Sequence, residues 1–179
     1  PRALTLRPPF RSFLGLVFGL ILFGLGEALL VAAGIGVSPW TVLAEGIAKT
    51  ADISLGITTF LISLGVLIIW IPLRQTPGLG TLLNALIIAF MLDFSLPYLP
   101  RPEDLLLQIV LAFLGVFTTG LGGAIYLIAN LGPGPRDGLM TGLQALSGHP
   151  LALVRSVLEV MVVLAGFALG GTLGLGTLF

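Results

Sequence analysis

Long apolar runs separated by short polar breaks organise this chain. A helix that spans a bilayer needs about 20 apolar residues. Five runs predict such helices: Arg11 to about Ala33, broken only by Glu27; Leu55 to Leu73, ended by Pro72 and Arg74; Leu79 to Leu96, ended by Pro97 and Pro100; Leu105 to about Ala129; and Leu151 to Leu169. Two shorter segments lie between the first and second runs and between the fourth and fifth. They are Gly36–Lys49 and Gly132–Ala145. Each opens on a Gly/Pro turn and then predicts a helix of about ten to twelve residues, with Pro39 or Pro135 at the first helical position, where proline is well placed. Ser38 is a candidate cap. Both helices are too short to span. They are expected to lie at the interface or to dip in as re-entrant half-helices, which survive at membrane depth only where protein or water covers their ends.

The pattern repeats. Residues 24–82 align with 120–178 at a constant offset of 96, without a gap, and 18 of the 59 pairs are identical. Gly24-Leu25-Gly26 returns as Gly120-Leu121-Gly122, Gly36 and Pro39 as Gly132 and Pro135, and Gly78-Leu79-Gly80-Thr81-Leu82 as Gly174-Leu175-Gly176-Thr177-Leu178. Shared apolar composition scatters Leu and Ala matches; it does not restore turn residues in one frame. The reading is a single transmembrane domain over 1–179, with a first repeat at 11–97 and an incomplete second at 105–179. A sixth span should start near Leu175, and the chain stops at Phe179, so the second repeat is expected to be truncated.

Composition fixes the compartment. Hydrophobic residues make up 56% and charged residues 9% of the chain, against about 25% charged in soluble domains. The expected partner is the lipid bilayer, with no nucleic acid. The first run is too long for a signal-peptide core, and no small-residue cleavage site follows it. There is no cysteine and a single histidine, His149. That excludes disulfides, thiolate chemistry and multi-histidine metal sites. No cofactor is expected. No nucleophile–base grouping or phosphate loop is present, so an enzyme is disfavoured. If the short helices do not cross, Arg2, Arg7, Arg11, Arg74, Arg136 and Arg155 share one side, and Lys49 and Arg101 the other. The positive-inside rule then puts the N-terminus in the cytoplasm. Three spans per repeat is an odd number, so the second repeat would enter the membrane inverted, as in many transporters.

Candidate chemistry gathers at the starts of the short helices. A helix N-terminus offers unpaired N–H groups and a partial positive charge. Two such ends facing one another would hold an anion or carboxylate. Gly36, Ser38, Pro39 and Thr41 in the first repeat, and Gly132, Gly134, Pro135, Arg136 and Asp137 in the second, are the candidate substrate-binding residues. The competing reading is two surface turns, with Arg136 as a topology signal. Glu27 is an acid within a span, where a charge costs at least about 2.5 kcal/mol and so takes a partner. It is a candidate coupling site for a proton or cation; the alternative is a packed, hydrogen-bonded acid. Arg155 and Glu159, four apart on the fifth span, are either a local structural pair or a gate. Asn84 is expected to hydrogen-bond between helices, and Asp93 to mark the interface. Gly15, Gly19, Gly24 and Gly26 on the first span, and Gly115, Gly120 and Gly122 on the fourth, predict close helix packing. Trp40 and Trp70 are expected as interface anchors.

Three segments carry a family resemblance: Gly34–Trp40 (Gly-Ile-Gly-Val-Ser-Pro-Trp), Trp70–Thr81 (Trp-Ile-Pro-Leu-Arg-Gln-Thr-Pro-Gly-Leu-Gly-Thr) and Asn130–Leu143 (Asn-Leu-Gly-Pro-Gly-Pro-Arg-Asp-Gly-Leu-Met-Thr-Gly-Leu). With these the chain resembles the YczE/YyaS/YitT family of bacterial membrane proteins, closest to the YczE branch. The resemblance implies a multi-pass inner-membrane protein and no defined activity. In that branch an Asp often follows Pro-Trp, whereas Thr41 stands here and only Asp137 is acidic. The expected fold is all-α and polytopic, with two inverted-topology repeats of three transmembrane helices plus one short helix each. The expected function is a small permease or secondary transporter for a small solute, with an anionic or carboxylate-bearing one as a candidate, working as a homodimer. The alternatives are a non-transporting accessory or scaffold subunit and a passive channel.

Overall fold

A computed structural model describes residues 7–174 and residue 177. Among these the regular elements are all helical. Helix α1 spans Phe10–Ala33, an apolar stretch without internal proline, and stops where Gly34 takes a left-handed turn (φ 73°). Helix α2 (Pro39–Ala51) ends at a left-handed Asp52 (φ 54°). Helix α3 (Leu55–Trp70) starts at Ser54, whose Oγ accepts from the Ile57 N–H at 3.2 Å. Helix α4 (Leu79–Ser95) runs into a single 3-10 turn, Leu96–Tyr98. Helix α5 (Leu105–Ile128) is capped by Asp104, which accepts from the Leu107 N–H at 3.2 Å. Helices α6 (Pro135–Ser147) and α7 (Leu151–Ala168) complete the described chain. The sixth span expected near Leu175 lies outside the described residues.

Four helices, α1, α4 with its 3-10 turn, α5 and α7, are long and apolar enough to cross a membrane. Helix α3 is shorter than the sequence pattern suggested. Its 16 residues reach only about 24 Å at 1.5 Å per residue. It qualifies only together with α2, from which it is bent by 115°. Pro72 truncates it, because proline lacks the N–H that the next helical turn needs.

Backbone conformation follows the sequence spacing. Eight described residues have positive φ: Gly34, Gly36, Asp52, Arg74, Asn130, Gly132, Gly148 and Gly170. They form four pairs, each 96 residues apart. Helices α2 and α6 have 13 residues each and the same separation.

Packing centres on α1, which lies against α4 and α5. A Cβ built at Gly19 would lie 2.8 Å from the Gly122 carbonyl, and one at Gly115 would lie 3.0 Å from the Gly26 carbonyl. The residue numbers rise on α1 as they fall on α5, so the two helices run antiparallel. Gly24 instead faces Met91 and Ile88 of α4. Gly15 and Gly120, expected in the same seam, face open space. Helix α2 packs on α7 through Gly46 and Gly166, and α6 packs on α3 through Gly138.

The tryptophans are core residues rather than interface anchors. Trp40 and Trp70 are 7% and 2% exposed and cluster with Val66, Leu139 and Met140. The Trp70 ring occupies the space left by the missing side chain of Gly138. Its Nε1–H donates to the Pro135 carbonyl at 3.0 Å. A buried indole N–H needs such a partner, which ties α3 to the start of α6. Asp93 is likewise structural. It accepts from Ser54 Oγ at 2.6 Å and from the Gly56 N–H at 2.7 Å, covering the N-terminus of α3.

Candidate functional site

The turn before α2 folds back along α1. Ser38 and Thr41 thereby reach Glu27, which is six residues short of the helix end at Ala33 and so about 9 Å inside it. Ser38 Oγ donates to Glu27 Oε2 at 3.0 Å, and Thr41 Oγ1 donates to the same oxygen at 2.7 Å. The two hydroxyls are 2.8 Å apart. Glu27 is 4% exposed and Thr41 2%, while Ser38 is half-buried. Ser38 holds the N-cap position of α2 but does not cap it with its side chain, because its hydroxyl serves the carboxyl of Glu27.

The matching turn before α6 is held by α4. Thr81 Oγ1 donates to the Pro133 carbonyl at 2.7 Å, and the Gly80 N–H donates to the Leu131 carbonyl at 2.7 Å. Gly132 sits at φ 119°, and a Cβ built there would lie 2.8 Å from Thr81 Oγ1 and 2.9 Å from the Gly78 α-carbon, which leaves room for no other residue. Tyr126 on α5 donates its phenolic O–H to Asp137 Oδ2 at 2.7 Å. The Arg136 guanidinium lies over the Trp40 ring, 5.4 Å from its centroid, a cation–π contact. Arg136 makes no ion pair: among the described residues the one ion pair is Arg155–Glu159, at 2.8 Å.

Both turns open into one cavity of about 560 Å³. Of the sequence-predicted residues, Glu27, Ser38, Pro39, Asn84, Gly134, Arg136, Asp137, Arg155 and Glu159 line it. Gly36, Gly132 and Pro135 are buried in the turns behind it, and Thr41 sits behind Ser38. Asn84 faces the cavity and makes no interhelical hydrogen bond among the described residues. Seven pairs of residues 96 apart line this one space, including Glu27 with Gly123, Ser38 with Gly134, Trp40 with Arg136, Thr59 with Arg155 and Ser63 with Glu159. Tyr126 was missed in the sequence. The signal for it was a hydroxyl-bearing ring inside a span where its counterpart is Leu30. Trp40 was read as an anchor although its counterpart is Arg136.

The acids change what the helix ends can do. Glu27 sits on the N-cap and third residues of α2, and Asp137 is in the first turn of α6. Each positive helix end already has a carboxylate of the chain itself nearby. Arg136, with Glu27 and Asp137 as its charged neighbours but no salt bridge among the described residues, is a cationic fork suited to a planar oxyanion. No group of His, Cys, Asp and Glu able to hold a metal is found among the described residues.

The comparisons agree with this membrane architecture. The chain is 44% identical over 162 residues to a Haemophilus influenzae protein called "Uncharacterized protein", covering 90% of this chain and 74% of the other. It is 31% identical over 164 residues to the Bacillus subtilis "Uncharacterized membrane protein YczE", covering 89% and 75%. It is 29% identical over 164 residues to the Bacillus subtilis "Uncharacterized protein YyaS", covering 89% and 82%. No solved structure matches it. The family described as "Family of unknown function (DUF6198)" matches residues 10–179, and the chain is a member of that family, with YczE among its relatives.

Proposed function

We propose that this membrane protein is a small permease or secondary transporter, whose solute sits in the cavity between the starts of α2 and α6. The observation that carries the reading is the set of seven residue pairs, each 96 apart, around a single cavity. A site at the axis relating two halves is where inverted-repeat transporters bind substrate. The antiparallel pairing of α1 with its counterpart α5 supports inversion of the halves. Gly19 meets Gly122, and the counterparts of these two, Gly115 and Gly26, meet in turn. Helices α2 and α6 are re-entrant half-helices in this reading, since the start of α2 lies at the depth of Glu27. The N-terminus faces the cytoplasm of a bacterial inner membrane, and the chain works as a homodimer. Arg136 receives a carboxylate or other oxyanion of the solute. Glu27 is the coupling site. The Arg155–Glu159 pair and Asn84 line the path to it.

Solvent access tests the reading. The chain has no cysteine, so Ser38→Cys and Gly134→Cys can be made singly. Each is then labelled with a membrane-impermeant thiol reagent in intact cells and in inverted vesicles. Slow labelling of both sites from either face is expected. Free labelling of Ser38→Cys from outside only, and of Gly134→Cys from inside only, would make both surface turns and favour the accessory subunit.

A further inference from the structure

The charges around the cavity do not suit a plain anion. Its wall includes Arg136, Arg155, Glu27, Asp137 and Glu159. Arg155 and Glu159 neutralise one another at 2.8 Å. Arg136 then stands against Asp137 alone if Glu27 is protonated, and against two carboxylates if it is ionised. The wall is neutral in the first case and carries one net negative charge in the second. A bound anion would add a further negative charge either way, and like charges repel most where the dielectric is low. A solute that also bears a positive group avoids this in both states.

Arg136 and Asp137 are placed to hold two groups rather than each other. They are consecutive in the first turn of α6, so their side chains leave the helix about 100° apart. They form no ion pair, and both border the cavity. Asp137 is exposed and gives Tyr126 only one of a carboxylate's several acceptor positions. A separate observation points to a polar occupant. Among the described residues, the buried side-chain polar atoms without a hydrogen-bond partner are Trp40 Nε1, Thr59 Oγ1 and Thr119 Oγ1. All three residues line this cavity. Trp40 and Thr59 are 7% and 3% exposed, and buried polar groups take partners, which an apolar solute would not supply.

We propose that the cavity binds a small zwitterion, with its carboxylate on Arg136 and its ammonium on Asp137, and that Asp137 sets the preference over the corresponding plain acid. This deepens the permease reading and rests on it only for calling the ligand a transported solute. A guanidinium presents a planar fork of donors to a carboxylate. An ammonium has donors and no acceptor, so it needs an acceptor such as the Asp137 carboxylate. Asn84, on the same wall, offers both a donor and an acceptor to the rest of the solute.

Thermal unfolding of the full chain in detergent tests this with matched probes. The sets are glycine, acetate and methylamine; β-alanine, propionate and ethylamine; and 4-aminobutyrate, butyrate and propylamine. Each compares a zwitterion with the same skeleton lacking one charged group. A ligand of the folded state raises the unfolding temperature as its concentration rises, which gives an apparent affinity. In at least one set the zwitterion should bind about tenfold or more tighter than the acid and the amine, since each of those lacks one charge-assisted contact. Asp137→Asn keeps an acceptor for Tyr126 and removes the charge. It should weaken the zwitterion about tenfold and leave the acid bound as well or better. Arg136→Gln should abolish binding of both, with helicity of the variants checked by circular dichroism. The wild-type comparison stands even where a variant fails to fold. In every set, an acid or an amine that binds as well as its zwitterion overturns the proposal. So does a panel in which no zwitterion stabilises the chain, or a zwitterion preference that survives Asp137→Asn. Counterflow of the labelled zwitterion in vesicles separates the two readings: binding without counterflow keeps the zwitterion site and refutes the permease instead.

Discussion

Gly122→Ala offers a sharp test of how the two halves are joined. A Cβ at Gly122 would lie 2.6 Å from the Gly19 carbonyl and collide with the backbone nitrogen of Phe23. These are backbone atoms of a 24-residue helix and cannot turn aside as a side chain can. Helices α1 and α5 would have to part. A gap of about 0.5–1 Å forfeits roughly a quarter to a half of each dispersion contact along the seam, and overpacking of this kind costs about 1–3 kcal/mol. Two residues earlier, Gly120 has nothing within 4 Å of its built Cβ, so Gly120→Ala should be neutral or stabilise the helix by about 0.5–1 kcal/mol. Unfolding of both variants in mixed micelles, followed by circular dichroism, reads the difference. At about 1.4 kcal/mol per tenfold, Gly122→Ala should lower the folding equilibrium constant by about 5- to 140-fold. Equal effects of the two substitutions would refute backbone contact between α1 and α5.

Gly132→Ala should cost about 1–3 kcal/mol, because alanine is strained at φ 119° and its Cβ would meet Thr81 Oγ1 at 2.8 Å; thermal unfolding measures it. Trp70→Phe removes the donor to the Pro135 carbonyl and should cost about 1–3 kcal/mol, with faster thiol labelling of a cysteine at position 134 as the start of α6 loosens. Asp93→Ala should destabilise by about 1–2 kcal/mol through lost capping of α3 while leaving labelling at position 38 unchanged. Arg155→Gln should shift stability by less than about 0.5 kcal/mol, since the Arg155 side chain is 65% exposed, so any larger change in labelling at position 38 would mark the pair as a gate.

Much of the fold was legible because its punctuation is chemical. Proline is well placed at a first helical position, so Pro39 and Pro135 fixed the starts of α2 and α6 that the structure keeps. Spacing also identified Glu27 and the two turns. Burial was harder to read. Trp40 and Trp70 follow the pattern of interface anchors by residue type alone, and only the opposing Gly138 shows that a ring must fill its space. Gly15 and Gly120 share the spacing of the packed glycines but lie on the open flank, which helix periodicity near the ends could not separate. The contact of Tyr126 with Asp137 was invisible for another reason: it joins a span to a turn, and no local pattern encodes such a meeting.

The central claim is that two halves of one chain insert in opposite senses around one cavity. Ala51→Cys and Ser147→Cys test it most directly, because these exposed residues end α2 and α6 and stand 96 apart. Impermeant thiol labelling in intact cells should reach Ala51→Cys and not Ser147→Cys, with the reverse in inverted vesicles. Labelling of both from the same face would contradict inversion, and with it the shared site.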